Sequence, residues 1–304
     1  MGKENTSVIT LAVPNRNCAR FLESTLISLE RNRPYVRWWF QDSCSTDNSV
    51  EIARRYAREG DRIEVERDSG HANGLNRAMS RMGGDIIGFL NSDDCLADGA
   101  AEAVLKAFRD DPKVELVYGG VEWIDAEGRS EGFHAGEISS LADVLDIYNV
   151  WWKQKHWVQP EVFWRRSLWE RVGGMNEFYY LAFDYEYWVR CFQHGVVVKK
   201  IPQVLAQFRR HAAQKSADSA RAAADIRNIV SFALDASPRI GWRKAWGLRN
   251  LLEYDYYQSG QSATNGTRTP FWRMLTSHPQ WMALPAVRSR ILRANKRLLS
   301  GGVR

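Results

Sequence analysis

The chain has 304 residues, with 42 Lys/Arg against 36 Asp/Glu for a formal charge of +6, and it is 44% hydrophobic and 26% charged. That balance belongs to a water-soluble globule and excludes a disordered chain, a collagen-like repeat and a disulfide-stapled miniprotein. The length allows one large domain or two modest ones, each with its own core.

The apolar, β-branched run Ser7–Val13 predicts a buried strand, ended by Pro14 and the polar Asn15–Asn17. Phe21, Leu22, Thr25, Leu26 and Leu29 recur at helical spacing, with Pro34 beyond the stop. Tyr35–Gln41 is a second strand. It runs into Asp42-Ser43-Cys44-Ser45-Thr46-Asp47, a cluster of turn and cap residues, and then into an amphipathic helix over Ser49–Arg58. Arg62–Glu66 is a third strand, Leu75–Met82 a helix closed by Gly83 and Gly84, and Asp85–Leu90 a fourth strand. This alternation is the pattern of a parallel sheet covered on both faces, and such sheets bind ligands at the carboxyl ends of their strands. The informative loops are therefore Pro14–Asn17, Asp42–Asp47, Asp68–Gly74 and Asn91–Asp94, three of them rich in Asp and Asn.

A helix over Gly99–Arg109, a strand over Glu115–Gly119 and a hairpin over Val121–Glu131, turning at Ala126-Glu127-Gly128, are expected next. Leu141–Asn149, Arg165–Val172 and Phe183–His194 read as helices and Val196–Ile201 as a strand. Beyond Ser216 the chain turns Ala- and Arg-rich with interleaved Trp and Tyr. The expected organisation is one α/β domain over residues 1–216 and a basic, Trp-containing helical region over 217–304.

Charge follows the same division. Arg221–Arg304 holds fourteen Lys/Arg and four Asp/Glu, a net +10, which leaves −4 on the rest of the chain. A basic tail on a mildly acidic body implies an anionic surface or ligand. The four cysteines (Cys18, Cys44, Cys95, Cys191) are scattered with no C-x-x-C pair, the usage of reduced, intracellular thiols. Met1–Thr6 is polar and Val8–Val13 too short for a signal-peptide core. No stretch approaches the roughly 18–20 apolar residues of a membrane helix. A cytoplasmic protein, soluble or peripheral on the inner face of a membrane, is expected.

Four constellations carry chemistry. Asn91-Ser92-Asp93-Asp94 could present hard oxygens to Mg²⁺ or Mn²⁺ at a strand end, or could cap the following helix. Asp42 suits a base or ribose contact but also suits a turn, while Asp47 suits an N-cap. Asp184 and Glu186 stand among aromatic residues at a helix start, where desolvation makes a carboxylate a better base. Glu186 can pair with Arg190 at i,i+4. His211, in the basic run Arg209–Ser216, is either structural or a diphosphate- or metal-site residue.

Taken in order, VPNRN (13–17), QDSCSTDNS (41–49), DSGHANGLNRA (68–78), GDIIGFLNSDD (84–94), FDYEYWVR (183–190) and FRRHAAQKS (208–216) resemble the inverting family-2 glycosyltransferases of the GT-A fold. The resemblance covers roughly residues 5–216. It implies a Rossmann-like, mostly parallel sheet with flanking helices, plus a helical C-terminal extension. It implies that Pro14, Asn15, Arg16, Asp42, Asp68, Asn76, Asn91, Ser92 and Lys215 line a nucleoside-diphosphate sugar. Asp93 and His211 would hold Mn²⁺ or Mg²⁺. Asp184 would be the catalytic base, and Gln159, Trp157 and Glu186 would lie on the acceptor side. The implied activity is transfer of one sugar, by default from a UDP-sugar, to a hydroxyl of a glycan or lipid-linked acceptor in bacterial surface polysaccharide or glycoconjugate synthesis. Asn91 departs mildly from the family's motif, removing one charge but keeping an acceptor.

In the tail, Phe271, Trp272, Trp281 and Leu284 accompany Arg288, Arg290, Arg293, Lys296 and Arg297. Tryptophan with clustered cations suits an anionic membrane surface, and the competing reading is a solvated basic face on helices that pack on the body or form a homodimer. A dehydrogenase is excluded, because Val13-Pro14-Asn15-Arg16-Asn17 stands where a G-x-G-x-x-G turn would be needed. A processive synthase would add membrane spans and a Gln-x-x-Arg-Trp motif, whereas Gln207–His211 ends in His. A catalytically degenerate nucleotide-sugar-binding module and a nucleic-acid-binding protein using the basic tail are the alternatives. Nucleic acid is not expected as a partner, since acidic strand-end loops repel phosphate.

Overall fold

A computed structural model describes residues 8–212, 214, 219–236, 240–258 and 271–300. The first half alternates as expected: β1 (Ile9–Asn15), α1 (Ala19–Arg31), β2 (Val36–Asp42), α2 (Ser49–Tyr56), β3 (Arg62–Val65), α3 (His71–Arg81) and β4 (Ile86–Phe89). Then follow β5 (Cys95–Leu96), α4 (Ala100–Asp110), β6 (Leu116–Ile124), β7 (Ser130–Ala135) and α5 (Leu141–Val144). A π-helical turn (Ile147–Trp151) and a 3-10 turn (Gln159–Glu161) lead to β8 (Val162–Arg165), α6 (Arg166–Val172), α7 (Phe183–Gln193) and β9 (Val198–Arg209). The elements that follow are all helical: α8 (Ser219–Ala236), α9 (Trp242–Gln258), α10 (Phe271–Ser277), a 3-10 turn (Pro279–Ala283) and α11 (Pro285–Ser300).

One sheet runs β3-β2-β1-β4-β8-β6-β9-β5, with β7 beside the outer part of β6. Its first four strands are parallel, in the register Ile9↔Val36 and Ile9↔Ile86. Beyond β4 it becomes mixed: β8 is antiparallel to β4 and β6, β6 and β9 are parallel, and β5 is antiparallel to β9. Successive strand residues point to opposite faces, so each strand feeds two cores. Leu11, Val13, Trp38 and Phe40 meet Leu22, Leu26, Val104 and Phe108 from α1 and α4. Ala12, Ile87, Phe89 and Trp164 meet Leu75, Met79, Trp169, Tyr187 and Trp188 from α3, α6 and α7.

Four elements differ from the sequence expectation. Helix α3 begins at His71, not Leu75, because Gly74 serves inside it: a Cβ there would lie 2.8 Å from Asp68 Oδ2. Strands β5 and β8 had no local signal. β9 runs on to Arg209, eight residues beyond the predicted end, because Val204–Arg209 find partners along β6.

The tail is built into the body. Ile226, Ile229, Val230 and Ala233 of α8 join the same core as Trp188. Tyr254, Leu275, Trp281, Leu284 and Val287 form a smaller cluster that also covers Tyr148. The expectation that Trp281 and Leu284 face a membrane is therefore corrected: they are 0% and 3% exposed, because they find apolar partners within the chain. Phe271 is half-buried beneath the Arg290 guanidinium, 4.2 Å from its ring centre. The side chains of Trp272, Lys296 and Arg297 lie outside the described residues, as does Lys215. Among the described residues no helix is long and apolar enough to cross a membrane.

Candidate active site

Parallel strands deliver their carboxyl ends to one edge, and there β1 and β2 are tied together. Asn15 Nδ2 donates to Asp42 Oδ1 at 2.8 Å and to Ser45 Oγ at 3.1 Å. Ser45 donates to Asp42 through its amide (2.7 Å) and its hydroxyl (2.6 Å). Asp42 is completely buried, so its carboxylate organises these loops and presents no accessible oxygen to a base or ribose. Asp47 ties the two helix starts, accepting from the amides of Ala19 (2.9 Å) and Ser49 (3.0 Å). Pro14 is half-buried beside this knot, and Arg16 is exposed at its rim.

Behind β3, Asp68 accepts from the Gly70 amide at 3.0 Å and lies against Gly74. Asn76 faces a different partner from the expected ligand. Its Nδ2 donates to the Met175 carbonyl at 2.9 Å, and its Oδ1 accepts from the Met175 amide at 2.7 Å. Glu177, two residues on, accepts from Asn73 and Asn76 at 3.0–3.1 Å. Asn76 thus pins the loop that leads into α7. Asn73 and Glu177 were missed in the sequence, where Gly173-Gly174 was the one signal of a tight loop.

The loop after β4 is supported from below. Gln159, 7% exposed, donates to the Phe89 carbonyl at 2.6 Å and accepts from Asn91 Nδ2 at 3.0 Å. This corrects its acceptor-side reading: an amide that satisfies a buried strand end is not presented to substrate. Ser92 is buried, and its carbonyl accepts from the Cys18 thiol at 3.6 Å. Asp94 is buried too, accepting from the Arg209 amide at 2.9 Å. Desolvation, and then the charge of Asp93, push its carboxyl well above the usual carboxylate range. Arg209, 4% exposed, spends its guanidinium on the carbonyls of Asp93, Asp125 and Ala126, so it braces this loop and does not face a diphosphate.

Asp93 is half-buried, as Asn91 is, and His211 meets it. His211 Nε2 is 3.0 Å from Asp93 Oδ2, with side-chain exposures of 11% and 20%, and the imidazole rests on Phe21 with ring centres 4.6 Å apart. Asn91 Oδ1 is buried with no protein partner among the described residues. One carboxylate oxygen and one imidazole nitrogen converging at a strand-end loop are donors suited to a divalent cation. No group of three or more His, Cys, Asp or Glu suited to a metal exists among the described residues.

Asp184 occupies the first turn of α7. Desolvation raises its carboxyl from 3.8 to about 6, against the lowering effect of the Tyr185 amide, which donates to Oδ1 at 2.7 Å. The α7 start is braced by Glu186, whose carboxylate binds Arg190 at 2.8 Å, while Arg190 also holds the carbonyls of Val172 and Gly174. Glu186 is thus engaged in the i,i+4 pair and not turned to an acceptor. Trp157 is corrected as well: it is 3% exposed and packs against Tyr118, Trp188 and Phe192, because the β6 and α7 faces leave an apolar slot of its size.

Comparisons with known proteins identify the family and the fold. Residues 10–167, just over half the chain, match the sequence profile described as glycosyl transferase family 2. A PGL/p-HBAD biosynthesis glycosyltransferase of Mycobacterium tuberculosis is 28% identical over 204 residues, 65% of this chain and 75% of that protein. Among solved structures, S. aureus TarS in complex with UDP-GlcNAc superposes with a TM-score of 0.62 at 14% identity, covering 85% of this chain and 74% of that one. The mannosyltransferase PcManGT from Pyrobaculum calidifontis, in complex with GDP-Man and Mn²⁺, gives 0.57 at 17% identity over 94% and 83%. The chain belongs to glycosyl transferase family 2 and has the GT-A fold.

Proposed function

We propose that this family-2 glycosyltransferase moves one sugar, with inversion, from a nucleoside-diphosphate sugar to a hydroxyl of a glycan or lipid-linked acceptor in bacterial polysaccharide or glycoconjugate synthesis. UDP-sugar is the default donor. The observation that carries the reading is the 3.0 Å approach of His211 to Asp93, two residues 118 positions apart that the sequence singles out for the same site. The role of the Mycobacterium tuberculosis relative in PGL/p-HBAD biosynthesis supports the acceptor class, and the UDP-GlcNAc and GDP-Man complexes of the fold neighbours support a nucleotide-sugar donor.

Asp184 is the base in this reading. The acceptor hydroxyl gives its proton to the Asp184 carboxylate while its oxygen bonds to the anomeric carbon from the face opposite the leaving group. The bond from that carbon to the diphosphate oxygen breaks, and the nucleoside diphosphate leaves with the electron pair. A carboxyl raised to about 6 is ionised at neutral pH yet more basic than an ordinary aspartate. Asp93 and His211, with Asn91 Oδ1 nearby, would hold Mn²⁺ or Mg²⁺, which supplies electrophilic charge to the leaving diphosphate. Only one catalytic carboxylate is needed, unlike in a glycosidase. Residues 1–216 would form the catalytic unit, with the helices beyond acting as a brace.

Titration of UDP and GDP with and without Mn²⁺, followed by donor turnover, tests the reading. Metal-dependent nucleoside-diphosphate binding in the wild type is expected, with Asp184→Asn keeping that binding and losing turnover. Binding that ignores the metal, or undiminished turnover in Asp184→Asn, defeats it.

A further inference from the structure

The transfer site uses the carboxyl edge of the parallel strands. At the opposite edge, where β1, β2, β3 and β4 begin, a cavity of about 610 Å³ opens. It lies about 17 Å from the catalytic edge, the length of five strand residues. Arg37, Arg62, Arg81, Arg109 and Arg165 line it, against one carboxylate, that of Asp85. We propose that this pocket binds a phosphate-bearing anion, independently of the sugar-transfer site.

The guanidinium groups divide by their engagement. Arg81 is paired with Glu66 at 2.6 Å. Arg62 donates to the Asp61 carbonyl at 3.2 Å and keeps its charge. Neither Arg37 nor Arg109 has a carboxylate within ion-pair distance among the described residues. Several like charges sharing one concave surface repel one another, and that cost is relieved by an anion.

The pocket is also shaped in advance. Arg165 is fixed by the carbonyls of Val114 (2.7 Å) and Phe108 (3.0 Å), and it lies over the Phe108 ring at 5.0 Å. Arg37 lies across Gly60, whose φ is +91°; a Cβ there would stand 2.9 Å from Arg37 Nε. On the other wall Gly84 has φ +102°, a Cβ would meet Thr10 Oγ1 at 2.6 Å, and Arg166 grips the Gly84 carbonyl at 2.8 Å. Both walls thus need glycine for the arginines and strand ends to come this close. Arg165, held by those carbonyls, contributes fixed positive charge, while the guanidinium forks of Arg37 and Arg109 are the ones matched to the paired oxygens of phosphate groups. Such a ligand could be a soluble phosphorylated compound or the headgroup of an anionic lipid, and the test separates these sources.

Inorganic pyrophosphate is titrated into the metal-free protein in chelator, where the transfer site, as read above, has no cation to hold a diphosphate. A rise in melting temperature is expected in the wild type and in Asp93→Ala. Affinity about tenfold weaker or worse is expected in the double variant Arg37→Ala/Arg109→Ala, whose exposed positions leave the core intact. In a second arm, phosphatidylglycerol vesicles are compared with phosphatidylcholine vesicles. Co-sedimentation of the wild type with the first alone, lost in the double variant, assigns a headgroup; pyrophosphate binding without co-sedimentation assigns a soluble ligand. A flat pyrophosphate titration without selective co-sedimentation, or a double variant that binds both probes like the wild type, overturns the proposal. Metal-dependent nucleoside-diphosphate binding, read separately, keeps the transferase reading standing or falling on its own.

Discussion

The side chain of Asn76 on α3 holds both backbone polar groups of Met175, donating to its carbonyl at 2.9 Å and accepting from its amide at 2.7 Å. Gly174 permits that grip, since a Cβ there would lie 2.8 Å from Asn76 Oδ1. The clamp fixes the loop that enters α7 and so fixes Asp184. It separates two roles for Asn76, contact with the nucleotide or positioning of the base.

Replacing Asn76 with alanine is expected to cost about 1–3 kcal/mol of stability, because the Met175 amide and carbonyl lose their partners in a buried setting. Turnover should fall while nucleoside-diphosphate affinity stays within about twofold of the wild type. Chemical denaturation together with a UDP titration checks this. A large affinity loss with unchanged turnover would return Asn76 to the nucleotide.

His211 and Asp93 meet at 3.0 Å, side by side at the candidate cation position. His211→Ala should weaken Mn²⁺-dependent nucleoside-diphosphate binding by roughly 10- to 100-fold, the range for losing a group that ligates or directly supports a metal. Metal-free stability should fall by about 1 kcal/mol, since the imidazole also gives up its hydrogen bond to Asp93 and its contact with Phe21. Calorimetric titration with and without Mn²⁺ reads both effects. Equal loss in the two conditions would leave His211 a packing residue.

Much of this arrangement is legible in the residues alone, for a physical reason. Parallel βα units force strand-end loops to one edge, so Asn15, Asp42, Asp68 and Asn91 had to gather there once the alternation was read. What each side chain does there was not legible. Asp42 and an exposed aspartate look alike in sequence, and its burial depends on Asn15 and Ser45 folding over it. Strands β5 and β8 are two and four residues long, and their pairing with β9, β4 and β6 is decided by distant segments. Tryptophan density fits a sugar platform and a core equally well, and only packing against Tyr118, Trp188 and Phe192 sets Trp157 in the core.

Trp157 offers a clean contrast between those two readings. In the core, Trp157→Ala leaves a cavity between Tyr118, Trp188 and Phe192 and should destabilise by about 3–5 kcal/mol. Trp157→Phe should restore most of that stability and support near-normal donor turnover. Thermal unfolding of both variants is the measurement. A stable Trp157→Ala protein with a selectively weakened acceptor interaction would put the indole in the binding site.

With Asp184 as the proposed base, its carboxyl links activity and stability with opposite signs. As a base it must be ionised, so turnover should rise through about pH 6 and level off above it. For stability, the folded state holds this proton more tightly than the unfolded chain does, since burial raises the value from 3.8 to about 6. Between those values the folded state binds more protons, and stability from this group falls as pH rises. Asp184→Asn removes the cost of burying the charge. The variant should be more stable than the wild type above pH 6, by about 1–3 kcal/mol after allowance for the partial exposure of the site, and the gain should vanish near pH 4. Denaturation curves at pH 4, 6 and 8 check this alongside the activity profile. An inactive Asp184→Asn protein with no gain at pH 8 would mean that the wild-type carboxylate is well solvated, and its basicity would need another source.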